Sequence, residues 1–160
     1  MRTYTHGVIG YLLYANRSRQ EKRLAVIGGI LPDMFLVIGF IPHYLEIKTS
    51  SSIVAELHHL LHHDILHIAT VSMHSLLIVG FLLILSYGIY KPALPFFVGM
   101  FAHGIIDLLT HVQWAYNHFF PLPIAPIEGI VSYTDMGATI VEHALLLLAI
   151  VWWMMKRPQR

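Results

Sequence analysis

His103, Asp107 and His111 recur at every fourth residue, so on an α-helix their side chains stack along one face. An imidazole and a carboxylate one turn apart can grip a single divalent cation, and that spacing recurs in helical zinc sites. Their setting is apolar: from Pro92 to Thr110 the only Asp, Glu, Lys or Arg is Asp107. The segment therefore reads as membrane-spanning, where an ionisable group needs a partner or a function. A His–Asp pair that satisfies itself inside a helix bundle is the plainer alternative. Other lone polar groups sit in equally apolar surroundings: His6, Asp33 in Gly28-Gly-Ile-Leu-Pro-Asp33, His74, and Glu142 beside His143.

The elements that must carry these groups follow from hydropathy. The chain has 160 residues, enough for one domain over 1–160; it is 56% hydrophobic and only 12% charged, unlike soluble globular proteins. A net charge of +1 gives no basic excess that would suggest nucleic acid. With no cysteine, disulfides, thiolate ligands and a Cys nucleophile are excluded, and any metal site must use nitrogen and oxygen. Twelve histidines are the compositional anomaly.

Residues 1–16 read as a short retained helix rather than a cleaved leader, because His6 interrupts the apolar run and the basic residues follow it. Apolar spans are expected at 24–41, 65–90, 93–111 and 136–155. Pro32 should kink the first of these beside Asp33. Pro42 to Ser52 reads as a loop. The histidines from His58 to His67 suggest an amphipathic helix lying at the membrane interface. The aromatic and proline-rich stretch 112–133 suits the headgroup region, and His43 and His118 read as loop residues. The expected fold is thus all-α: an integral membrane bundle of about five embedded helices plus an interfacial His-rich helix.

Lys and Arg cluster at 17–23, Lys91 and 156–160, and assigning all three to the cytoplasm gives a consistent serpentine. Measured from these anchors at ~1.5 Å per residue, His6 and Asp33 lie roughly 15 Å deep. His103 and Glu142 come out at roughly 18–21 Å, and His74 and Asp107 at about 25 Å. Groups from five helices falling between mid-membrane and the outer leaflet favour one shared site.

The motifs His6-Gly-Val-Ile-Gly, Leu31-Pro-Asp33, His74-Ser-Leu-Leu and His103-Gly-Ile-Ile-Asp-Leu-Leu-Thr110, then Phe120-Pro-Leu-Pro, form an ordered series. It resembles the membrane-bound metal-dependent hydrolase family of inner-membrane proteins, some of them LexA-regulated. That family is distantly similar to zinc-dependent phospholipase C and P1 nuclease, whose zinc cluster cleaves phosphodiesters. The resemblance implies His6, Asp33, His74, His103 and Asp107 as core metal positions, with His111 and Glu142 as additions. Phe35 and Leu36 stand where the family has a further Asp and His, so His67 or one of the 58–63 histidines is expected to replace the missing ligand. The family's His-Arg before the His-Ser pair is also lacking.

The expectation is a multi-pass inner-membrane hydrolase holding one to three zinc ions, or another divalent metal. It would cleave an ester of a lipid or lipid-linked substrate, with Asp33 as ligand or general base. A metal or proton transporter, and a non-catalytic subunit of a larger complex, are the alternatives.

Overall fold

The computed structural model describes residues 2–48, 66–112, 117–132 and 134–155. All regular structure among them is helical: α1 (Thr3–Leu13), α2 (Arg19–Lys48), α3 (Leu66–His74), α4 (Leu76–Ile89), α5 (Leu94–Thr110) and α6 (Met136–Met155). A single 3-10 turn, Lys91–Ala93, leads into α5, and Pro95 occupies its first turn, where a missing N–H costs nothing. The expected His-rich helix over 58–67 lies outside the described residues except for His67.

α2 is the spine of the bundle, with α1 and α5 against it and α4 on the far side of α5. Its start is set by a reciprocal cap. Ser18 Oγ accepts from the Glu21 N–H at 3.3 Å, and Glu21 Oε2 accepts from the Ser18 N–H at 2.9 Å. The Ser18 hydrogen bonds hold the Glu21 carboxyl below its ordinary range. The helix runs unbroken through Pro32 and on to Lys48, so the first part of the loop expected over Pro42–Ser52 is helical instead. Nothing in His43-Tyr-Leu-Glu-Ile-Lys48 stops a helix. Close approach of the helices depends on missing side chains. A Cβ at Gly28 would collide with the Phe96 carbonyl oxygen, and one at Gly99 would stand 2.9 Å from the Gly29 nitrogen. Small residues let helix backbones touch in this way in apolar surroundings.

Burial is inverted relative to a water-soluble domain. The innermost side chains include His6, His74, His103, His118 and Asp107, while Ile84, Ile89 and Met136 are 74%, 77% and 80% exposed. Among the described residues, two helices are long and apolar enough to cross a membrane: Lys91–Thr110 and Met136–Met155. His67–His74 and Leu76–Ile89 make a third only if counted as one span bent by 64°. This corrects the expected five. α1 has 11 residues, about 16 Å of helix against a hydrocarbon core of about 30 Å.

The bend replaces the continuous span expected over 65–90. No proline or glycine causes it; hydrogen bonds from the connector do. The His118 carbonyl accepts from the Leu76 N–H at 2.8 Å, and Ser75 Oγ donates to the Phe120 carbonyl. The Ser75 hydroxyl also caps α4 by accepting from the Ile78 N–H at 3.3 Å. Within a membrane, broken helices persist only where freed backbone groups find partners. Ser75→Ala removes both bonds and is expected to cost about 1–3 kcal/mol. A melting temperature in detergent equal to wild type would show that the bend is not held there. Farther along, the connector caps the C-terminus of α5, where Gly129 and Ile130 N–H groups donate to the His111 and Leu109 carbonyls, both at 2.9 Å.

Candidate metal centre

Asp33, His74, His103 and Asp107 meet in the interior, each offering one ligand atom, with all four atoms within 4.8 Å of one another. Three helices and the bend supply them: α2 gives Asp33, α3 ends on His74, and α5 presents His103 and Asp107 one turn apart.

Both imidazoles are aimed by their other nitrogen. His74 Nδ1–H donates to the Thr70 carbonyl at 2.8 Å, and His103 Nδ1–H donates to the Gly29 carbonyl at 2.7 Å. A carbonyl only accepts, so each Nδ1 carries a proton, and Nε2 is the atom each ring turns inward, the one that would meet an ion. The two Nε2 atoms lie 3.3 Å apart. His103 Nε2 is 3.0 Å from Asp107 Oδ2 and 3.6 Å from Asp33 Oδ1. His74 Nε2 is 3.8 Å and 3.7 Å from the same two oxygens. Ligands at ~2.0–2.1 Å from a tetrahedral centre stand about 3.3–3.4 Å apart, so these separations bracket a zinc-sized polyhedron. Two Nε2 atoms and two carboxylates this close need positive charge among them, from a proton or a cation. The donor set therefore fits a divalent cation.

His6 borders this group. Its ring stacks on His103 with centroids 3.8 Å apart, and its Nε2 is 3.1 Å from Asp107 Oδ1. Neither His6 nitrogen makes a well-formed hydrogen bond among the described residues, although His6 is 2% exposed. A buried imidazole left in that state is costly, which suits a ligand awaiting its ion. His111, at the C-terminus of α5, has Nδ1 3.4 Å from Asp107 Oδ1 and donates to the Asp107 carbonyl at 3.1 Å. Asp107 thus turns one oxygen towards His103 and His74, the other towards His6 and His111.

Two expected ligands lie elsewhere. His67 is exposed in the first turn of α3, about 10 Å of helix before His74, and cannot replace a missing ligand there. Glu142 is buried, but its oxygens accept from Thr5 Oγ1 and from Arg2 at 3.3 Å, so it faces α1. The depth reckoning also needs correction. It set Asp33 roughly 10 Å below Asp107, yet their ligand atoms are neighbours, because the helices do not start at one height.

His118 lies in a turn of the connector, as expected, but is 1% exposed beneath the site, its Nδ1–H donating to the His74 carbonyl at 3.1 Å. Burial pushes this imidazole below its ordinary pKa, so it stays neutral. No local spacing marks it, since its partner is 44 residues away. The Thr70 carbonyl was legible in principle: a histidine reaching back one turn recurs at His111 and His143. No protein family, curated protein or solved structure matches this chain.

Proposed function

We propose that this protein is a multi-pass membrane hydrolase that uses a divalent metal, zinc by donor type, to cleave an ester of a lipid or lipid-linked substrate. A phosphodiester is the favoured bond. The observation that carries the reading is the meeting of His74 Nε2 and His103 Nε2, 3.3 Å apart, with the carboxylates of Asp33 and Asp107. His74, His103 and Asp107 would hold the ion, with His6, beside the second Asp107 oxygen, as the further ligand. Zinc in a nitrogen–oxygen site supplies Lewis acidity and lowers the pKa of a water towards ~7.

Asp33 has the role that separates catalysis from storage. Its side chain is 15% exposed where His74, His103 and Asp107 are 0–1% exposed, so approach to the cluster is over Asp33. It is also the more distant carboxylate from His103, at 3.6 Å against 3.0 Å. Four fixed ligands would close the site, whereas a catalytic site keeps one position open. Asp33 therefore acts as the base that takes a proton from water, with its carboxylate turned towards the approach.

Cation transport is the second reading, favoured by the helix broken at Ser75 directly beside His74, since discontinuous helices flank ion sites in transporters. One set of measurements on the full chain in nanodiscs decides between them: zinc content, cleavage of bis-p-nitrophenyl phosphate and of phospholipid vesicles, and zinc uptake into liposomes. The hydrolase reading expects zinc-dependent cleavage and, in Asp33→Asn, retained zinc with turnover about 10²–10⁴-fold lower. Zinc uptake without cleavage of either substrate would hand the site to transport. Protein that retains no zinc would remove both.

A further inference from the structure

Glu142 is the single buried residue among those described on α6, a helix otherwise turned outward, with Ile140, Val141, Leu145 and Leu148 all 57–64% exposed. A carboxylate buried on such a helix is expensive and needs a partner. Its partners are all in the first turn of α1: Oε1 accepts from Thr5 Oγ1 and Oε2 from the Arg2 guanidinium, which also donates to Thr139 Oγ1 at 3.2 Å. That same turn reaches the metal centre. His6, adjacent to Thr5, stands 3.1 Å from Asp107 Oδ1. The cluster's innermost carboxylate is thus touched by the helical turn that Glu142 grips.

We infer that Glu142 is a positioning residue, which seats α1 through Thr5 and Arg2 and so orients His6 and Asp107 without binding the ion itself. The inference rests on the metal-centre reading above, and it replaces coordination by Glu142 with control of the ligands from outside. Outer partners of this kind set metal affinity over about 10–100-fold.

The test uses the full chain in detergent, with zinc as the probe, read by affinity and by ligand number from X-ray absorption. Glu142→Leu and Thr5→Val are each expected to weaken zinc about 10–100-fold with ligand number unchanged. Glu142→Gln, whose amide oxygen still accepts from Thr5, is expected to restore affinity close to wild type. Wild-type affinity in both Glu142→Leu and Thr5→Val would overturn the inference, as would loss of an oxygen ligand in either Glu142 variant. Should Glu142→Leu fail to fold, Thr5→Val carries the test. If the wild type holds no zinc, the metal reading falls separately. The seat of α1 is then read from the ring-nitrogen NMR signals of His6: displacement in the two variants with His118 unmoved supports it, and unmoved His6 signals overturn it.

Discussion

Asp107→Asn is expected to strip the protein of zinc and of hydrolysis together while leaving the bundle assembled. The substitution keeps the shape of the side chain, so packing on α5 is unchanged. What it removes is the one group that faces four imidazoles: His6 at 3.1 Å, His103 at 3.0 Å, His111 at 3.4 Å and His74 at 3.8 Å. Loss of an outer partner alone costs about 10–100-fold in affinity, so loss of a carboxylate shared by both nitrogen sets should exceed about 100-fold. Stability gives a second readout. Zinc at 100 times its dissociation constant adds about 2.7 kcal/mol to the wild type, and that increment should vanish in the variant. Metal analysis and melting with and without a chelator check both halves. An Asp107→Asn protein that retained zinc as the wild type does would mean that the cluster is a hydrogen-bonded polar plug.

Gly28→Ala is expected to damage fold and site at once, although it adds a single methyl. The new Cβ would meet the backbone carbonyl of Phe96, which cannot turn aside as a side chain does. Pushing α2 off α5 is an overpacking cost of about 1–3 kcal/mol, and more where backbone resists. The displacement also reaches the chemistry, because the Gly29 carbonyl next door holds His103 Nδ1 at 2.7 Å. Zinc affinity should therefore fall with stability in this variant. Gly88→Ala, in the last turn of α4, is the control: its Cβ would meet nothing within 4 Å, and alanine there is expected to be tolerated within about 1 kcal/mol. Equal melting temperatures for Gly28→Ala and Gly88→Ala would show that the α2–α5 contact is looser than described.

Much of the centre was legible from local chemistry. The His103–Asp107 pair is a matter of helical period, and both residues sit on the buried face of α5, a helix found one residue inside its expected limits at each end. α6 occupies the expected 136–155. The isolation of Asp33 and His74 in apolar sequence marked them for burial, since such groups are held at depth only with partners. Depth along the chain was a weaker guide. It grouped Glu142 with the site because distance along a helix says nothing of the direction in which a side chain leaves it.

By itself, then, the sequence determined most of the helices, the apolar exterior and four inward-facing polar groups, because period and hydropathy act over a few residues at a time. Only tertiary structure decided that α3 and α4 part at Ser75, that His118 lies beneath His74, and that Glu142 grips α1. Each of those outcomes rests on hydrogen bonds between groups 42 to 140 residues apart, two of them to backbone carbonyls whose availability depends on the whole fold.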